Sequence, residues 1–134
     1  MQATRDEFVV FYGTQTNTAK AAAEEIGREA IKRRLAPRVV SFDDYPIMKL
    51  PLTKLAIFVI ATTGDGEAPQ TMLNAWSFLL RKDLPANSLR GLKFSVFGLG
   101  DSSYALFNAM AKKLTQRLLD LGASLFHKVG LGDY

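Results

Sequence analysis

Cysteine is absent from the 134 residues of this chain, and histidine occurs only once. Without thiols the chain has no disulfide, and no zinc or iron–sulfur site held by cysteine. No apolar run reaches the roughly 18 residues that a membrane span needs. The N-terminal residues also lack the basic flank and long apolar stretch of a secretory signal. These absences predict a cytoplasmic protein of one domain, with no metal site and no membrane partner.

Positive charge is in modest excess, since 17 basic residues stand against 13 acidic ones. The basic residues are scattered, and their densest run, Lys32-Arg33-Arg34, falls where a helix is predicted to end. Cations at that position complement the helix dipole. We therefore interpret the run as a helix terminus and predict no nucleic-acid partner.

Short apolar segments alternate with segments of helical periodicity. Strands are predicted at residues 8–12, 38–42, 55–61, 94–97 and 125–129. Three helices lie between them, with predicted core positions Ala19, Ala22, Ala23, Ile26 and Ala30 in the first, Met72, Leu73, Trp76, Leu79 and Leu80 in the second, and Phe107, Met110, Ala111, Leu114, Leu118 and Leu121 in the third. Gly122 is predicted to end the third helix in a left-handed conformation.

This alternation predicts an α/β fold, a five-stranded parallel sheet with helices on both faces. Strands that are apolar throughout are typical of a sheet buried on both sides. A covering helix is expected after the fifth strand, and this chain contains none. We therefore expect the 134 residues to form one domain, the N-terminal part of a longer polypeptide.

Three loops rich in small and hydroxylic residues follow the first, third and fourth strands. They are GTQTNTA at 13–19, ATTGDGEAP at 61–69 and GLGDSSYALFN at 98–108. In open parallel sheets ligands bind beyond the carboxyl ends of the strands. These loops are therefore predicted to form one ligand site.

The first loop is predicted to hold a phosphate. The hydroxyls of Thr14, Thr16 and Thr18, with the unpaired N–H groups of a helix start, can surround an anion with neutral donors. A nucleoside-triphosphate loop needs a lysine that is missing here, and a dinucleotide loop needs three glycines where only Gly13 is present. Helix capping by the threonines remains the alternative interpretation.

The other two loops differ in what they offer a ligand. Gly64 and Gly66 allow close backbone approach. The carboxylates of Asp65 and Glu67 can favour the start of the next helix, and because the sequence suggests no partner acid or base for them, no catalytic residue is predicted. Tyr104 is placed to offer a platform for a planar ring; an ordinary surface tyrosine is the alternative.

These loops resemble the flavodoxin-like, FMN-binding domain of the NADPH-dependent diflavin reductases, the family that includes cytochrome P450 reductase and nitric oxide synthase. The resemblance extends over residues 8–133 and includes GREAIKRRL at 27–35, WSFLLRKDLP at 76–85 and GLGDSSYALFNAMAKKL at 98–114. It implies the strand order 2-1-3-4-5. It also explains the missing lysine, because hydroxyls and backbone amides suffice to hold the FMN phosphate.

The resemblance implies a set of FMN-binding residues. The phosphate would contact Thr14, Gln15, Thr16, Asn17, Thr18 and Ala19, while the flavin would lie between Ala61, Thr62, Thr63 and Gly64 on one side and Leu99, Gly100, Asp101, Ser102, Ser103, Tyr104, Phe107 and Asn108 on the other, with Tyr104 stacked on the ring. Two positions depart from the family pattern: Asn17 replaces a usual glycine, and Thr63 replaces the second stacking aromatic of P450 reductase.

The function implied by the resemblance is electron transfer. FMN in this domain would take electrons from FAD, held in an NADPH-binding domain of the same polypeptide, and pass them to an anamorsin-like iron–sulfur protein in cytosolic iron–sulfur cluster assembly. The isolated domain would not oxidise NADPH. The alternative is a non-redox binding module that keeps the flavodoxin fold without its cofactor, and Asn17 and the missing helix favour it.

Overall fold

The computed structural model describes residues 8–14, 18–61, 68–100, 109–125 and 130–133. The strands are β1 (Phe8–Gly13), β2 (Pro37–Ser41), β3 (Leu55–Ala61), β4 (Lys93–Gly100), β5 (Ser124–Leu125) and β6 (Gly130–Asp133). The helices are α1 (Thr18–Lys32), α2 (Leu73–Leu79) and α3 (Ala109–Asp120), and 3₁₀ turns occupy Phe42–Asp44, Ile47–Leu52 and Gln70–Met72.

The strands form one parallel sheet in the order β2-β1-β3-β4-β5, and β6 also pairs with β4. The predicted order 2-1-3-4-5 is therefore confirmed. Of the fifth predicted strand, Leu125 lies in β5, and residues 126–129 are outside the described residues. The fifth strand was predicted to end at residue 129, but β6 continues the pairing with β4 as far as Asp133.

One face of the sheet packs against α2 and α3, and we call it the α2/α3 face. Its strand residues include Phe11, Phe58 and Phe94, each fully buried. The rings of Phe11 and Phe58 stack with centroids 4.8 Å apart. Large aromatic side chains thus build the main core on this side.

The opposite face, the α1 face, packs against small residues. Among the described residues, α1 is the helix on this side, and it contacts β1, β2 and β3. Buried alanines let it approach closely, and at Gly27 an added Cβ would lie only 2.7 Å from Val39 Cγ2. Beyond the edge of α1, Phe97 of β4 remains 36% exposed beside a groove of about 360 Å³.

Both long helices end in the same hydrogen-bonded turn, the Schellman motif. At the end of α1, Leu35 N–H donates to Ala30 O, and Arg34 adopts φ 63°. At the end of α3, Ala123 N–H donates to Leu118 O, and Gly122 adopts φ 94°. The predicted left-handed glycine is confirmed, and Arg34 is an unpredicted second case.

Several predicted core positions need correction. Leu73 and Leu80 are 46% and 51% exposed, because the stripe that α2 buries runs through Met72, Ala75 and Leu79. Phe42 begins a 3₁₀ turn and does not belong to β2.

In α3 the predicted inward residues Met110, Ala111, Leu114 and Leu118 are buried, and so is Leu121 just beyond its end. Phe107 lies outside the described residues.

Candidate functional site

The described parts of the predicted site lie at the carboxyl ends of three adjacent strands. Gly13, the last residue of β1, pairs with Ile60 of β3, and Ala61 of β3 pairs with Leu99 of β4. Thr14 follows directly after β1, and Gly100 ends β4. The sheet therefore brings the starts of all three loops to one edge, as the sequence predicted.

The first loop connects the buried end of β1 to the start of α1, where the electrostatics suit an anion. Thr14 is only 5% exposed, α1 begins at the exposed Thr18, and Ala19 is fully buried against the sheet. The first turn of α1 contains no acidic residue. Because first-turn N–H groups have no partner within a helix and carry partial positive charge, this terminus suits an anion such as a phosphate dianion.

The remaining predicted site residues lie outside the described residues. They are Gln15, Thr16 and Asn17 in the first loop, Thr62, Thr63 and Gly64 in the second, and Asp101, Ser102, Ser103, Tyr104, Phe107 and Asn108 in the third. Their assignment to the site stays a prediction.

Thr71 belongs to the described site, and the sequence analysis missed it. Thr14 N–H donates to Thr71 Oγ1 at 2.7 Å, and Thr71 Oγ1 donates to Thr14 O at 3.1 Å. One hydroxyl therefore satisfies both backbone groups of the residue that opens the first loop. The available signal was a hydroxyl two residues after Pro69, just downstream of the second loop.

Thr71 lies just before α2, and long-range hydrogen bonds hold both ends of that helix. The Asp43 carboxylate accepts from Asn74 N–H at 3.2 Å and from Ala75 N–H at 2.8 Å. At the other end, the guanidinium of Arg117 donates to Leu79 O and Arg81 O. A helix of seven residues is too short to be stable alone in water, so these long-range contacts hold it in place.

The shifted pKa values of the described residues belong to ion pairs on the exposed surface. A hydrogen bond from Arg28 lowers the pKa of the Glu25 carboxyl, and one from Arg81 lowers the pKa of the Asp83 carboxyl.

Within the described ranges, no cluster of carboxylates and histidine has the arrangement of a metal site. No helix in that part of the chain combines the length and apolar character needed to cross a membrane. The described residues of the predicted site all have uncharged side chains: Thr14, Thr18, Ala19, Ala61, Leu99 and Gly100.

The chain matches proteins of known family over most of its length. The sequence model of the flavodoxin family matches residues 10–134. Two similar relatives, each named NADPH-dependent diflavin oxidoreductase 1, come from Bos taurus and Danio rerio. They are 50% and 52% identical to this chain over 93% of its length. The chain spans 21% of the length of each of them.

Solved structures agree with the sequence match. A mutant form of flavodoxin from Pseudomonas aeruginosa superposes with a TM-score of 0.77 and 23% identity, covering 95% of this chain and 83% of that one. Oxidised flavodoxin 2 from Bacillus cereus gives 0.76 and 24%, covering 94% and 85%. At these identities the likeness establishes the fold, and the match over residues 10–134 establishes the family. The chain belongs to the flavodoxin family.

Proposed function

We propose that this chain is the FMN-binding, electron-transfer domain of an NADPH-dependent diflavin reductase. The observation that carries the proposal is the convergence of the ends of β1, β3 and β4 beside the start of α1, in a chain of the flavodoxin family. The identity of 50% to a relative named as a diflavin oxidoreductase supports the reductase assignment.

The described residues suit both the phosphate and the flavin ring of FMN. The start of α1, with no acidic residue in its first turn, suits the phosphate. Ala61 and Leu99 are paired across adjacent strand ends, and the edge of the flavin ring would lie beside them on this proposal. When bound, FMN supplies the redox chemistry, and the protein supplies orientation and shielding from water.

The predicted residues of the three loops complete the site on this proposal. Thr16 and Thr18 would donate to the phosphate, and Tyr104 would stack on the ring. The domain needs no acid, base or metal of its own. The chemical work of this chain is to bind the cofactor and to present it to electron donors and acceptors.

The proposal extends to the rest of the polypeptide. The relatives' name states two flavins and dependence on NADPH, and this chain spans only 21% of their length. We propose that an FAD/NADPH domain of the same polypeptide reduces the FMN domain in the cytoplasm, and that an anamorsin-like iron–sulfur protein accepts the electrons for iron–sulfur cluster assembly.

Flavin binding tests the proposal directly. The purified protein should be yellow or become so with FMN, should bleach with dithionite, and should not consume NADPH by itself. A protein that binds neither FMN nor riboflavin would contradict the proposal and favour the non-redox binding module. Steady NADPH oxidation by the pure domain would contradict the assignment of FAD and NADPH to another domain.

Two variants separate the phosphate contacts from the ring contacts. Thr16→Ala removes a donor to a charged acceptor, so FMN affinity should fall by about tenfold or more while riboflavin affinity changes little. Tyr104→Ala removes a stacking partner worth about 1–3 kcal/mol, so both ligands should weaken equally. The opposite pattern would show that the flavin is oriented differently from the prediction.

A further inference from the structure

Thr71 is hydrogen-bonded to the start of the first loop. Its hydroxyl bridges the N–H and the C=O of Thr14 at 2.7 and 3.1 Å. The two residues are 57 positions apart in the chain, so the bridge joins the loop after β1 to the 3₁₀ turn that follows the second loop. Thr14 is buried, and loss of the bridge would leave its backbone groups without this partner away from water.

Gly13 and Met72, which adjoin Thr14 and Thr71 in sequence, make a second contact beside the bridge. A Cβ added to Gly13 would lie 2.6 Å from Met72 Sδ, so the backbone of Gly13 passes directly against the Met72 side chain. Residues 13 and 14 are thus held by residues 72 and 71 respectively. Two adjacent contacts fix both the position and the direction of the chain as it leaves β1.

The turn that carries Thr71 is held by packing and by hydrogen bonds to neighbouring elements. Met72 is fully buried, and α2 begins at the next residue. The Asp43 carboxylate bonds the N–H groups of Asn74 and Ala75 in the first turn of that helix. The 3₁₀ turn bearing Thr71 is therefore anchored to the core on one side and to the turn after β2 on the other.

We infer that Thr71 is a positioning residue for the phosphate loop, which sets FMN affinity by fixing the backbone at Thr14 and does so without contacting the cofactor. The ligand in this inference rests on the proposed function. A loop that must surround a phosphate with several donors gains affinity when it is held in the binding geometry beforehand, because less conformational freedom is lost on binding. The bridge couples the first loop to the segment that follows the second loop.

The test compares three single variants of the 134-residue chain. Thr71→Val keeps the shape of the side chain but removes the hydroxyl, and Thr71→Ser keeps the hydroxyl. Thr115→Val is the matched control, since it deletes a buried hydroxyl that bonds Ala111 O within α3 at 2.8 Å. FMN and riboflavin dissociation constants are measured for each, together with hydrogen exchange of the Thr14 amide in the protein without flavin.

Thr71→Val should weaken FMN binding by about tenfold and leave riboflavin binding nearly unchanged. It should also accelerate exchange of the Thr14 amide by about tenfold or more. Thr71→Ser should behave like the parent in both measurements. Thr115→Val should lower the melting temperature without changing either the ratio of the two affinities or the exchange at Thr14.

Equal weakening of FMN and riboflavin by Thr71→Val would overturn the inference, because the residue would then act through the fold as a whole. Unchanged exchange at Thr14 would overturn it as well. If the parent binds no flavin but Thr71→Val still exposes the Thr14 amide, the positioning contact stands and the proposed function fails. The two conclusions are therefore separately testable.

Discussion

The two faces of the sheet are built differently, although the same strands form both. The α2/α3 face packs phenylalanine rings against two helices, and Phe11, Phe58 and Phe94 are all fully buried. The α1 face packs mainly aliphatic strand residues, together with Phe8, against the alanines of a single described helix. Alternation along each strand assigns successive residues to opposite faces, so Phe58 and Val59 belong to different cores.

The difference is largest at β4. On the α2/α3 face, Phe94 is sealed under α3 and Phe58. On the α1 face, Phe97 of the same strand is 36% exposed, while Ser95, which lines the same groove, is buried. Within the described residues the α2/α3 face is thus closed, whereas the α1 face is partly open at Phe97. A closed face loses stability when one large side chain is removed, and an open one should not.

Truncating one phenylalanine on each face tests this comparison with the largest expected effect. Phe58→Ala empties a site between Phe11, Phe42 and Phe94 and should cost about 3–5 kcal/mol of unfolding free energy. Phe97→Ala removes a side chain that is only partly buried, and should cost less than about 1.5 kcal/mol. Urea unfolding followed by circular dichroism measures both.

Phe58→Leu is the milder companion in case Phe58→Ala does not fold, and it should still cost more than Phe97→Ala because it leaves part of the cavity empty. Light scattering at the same protein concentration is the control for self-association. Equal losses from the two alanine variants would mean that Phe97 is covered in solution, and the two faces would then not differ.

The helix ends sharpen the comparison with a smaller effect. Gly122 after α3 and Arg34 after α1 are both left-handed, at φ 94° and 63°. Gly122→Ala should destabilise the protein by about 1–2 kcal/mol, because a Cβ is disfavoured there and would also meet Ala86 O at 3.2 Å. Arg34→Gly should stabilise it by about 1 kcal/mol, since it removes the same penalty from α1.

Thermal unfolding of the two variants gives opposite shifts of melting temperature on this account. Arg33→Gly is the matched control for Arg34→Gly, because it removes a neighbouring exposed arginine at a residue outside the left-handed set. If Arg34→Gly and Arg33→Gly change stability alike, the gain would come from lost charge and not from relieved backbone strain.

The elements that could be predicted from the sequence are those with a strong local pattern. Apolar runs predicted β3 with its observed bounds and β1 to within one residue, and period-3.6 spacing predicted α1 and α3. At Gly122, a glycine directly after a helical pattern was enough to predict the left-handed conformation. Arg34 did not, because nothing in its chemistry favours a left-handed backbone, and only the chain direction after α1 requires it.

The parts that escaped prediction depend on tertiary placement. The 3₁₀ turn at Ile47–Leu52 has no apolar periodicity that a sequence pattern can detect. The contacts of Asp43 with α2 and of Thr71 with Thr14 join residues 31 to 57 positions apart. The starts of the three loops were predicted to meet because parallel strands end at one edge, but Thr71 reaches that edge from a neighbouring segment, and local sequence does not reveal this.

Ser95 allows the smallest test, at a buried position in the groove on the α1 face. Its Oγ is buried and, within the described part of the chain, has no hydrogen-bond partner. Ser95→Ala removes this unsatisfied group, so it should leave the unfolding free energy unchanged or raise it by up to about 1 kcal/mol. Ser41→Ala is the matched control, because Ser41 Oγ accepts from Asp44 N–H at 3.3 Å, and its loss should cost about 0.5–1.5 kcal/mol. Both are measured by urea unfolding. A loss at Ser95 as large as that at Ser41 would reveal a hydrogen-bond partner for its hydroxyl in solution, and the buried Oγ would then not be unsatisfied.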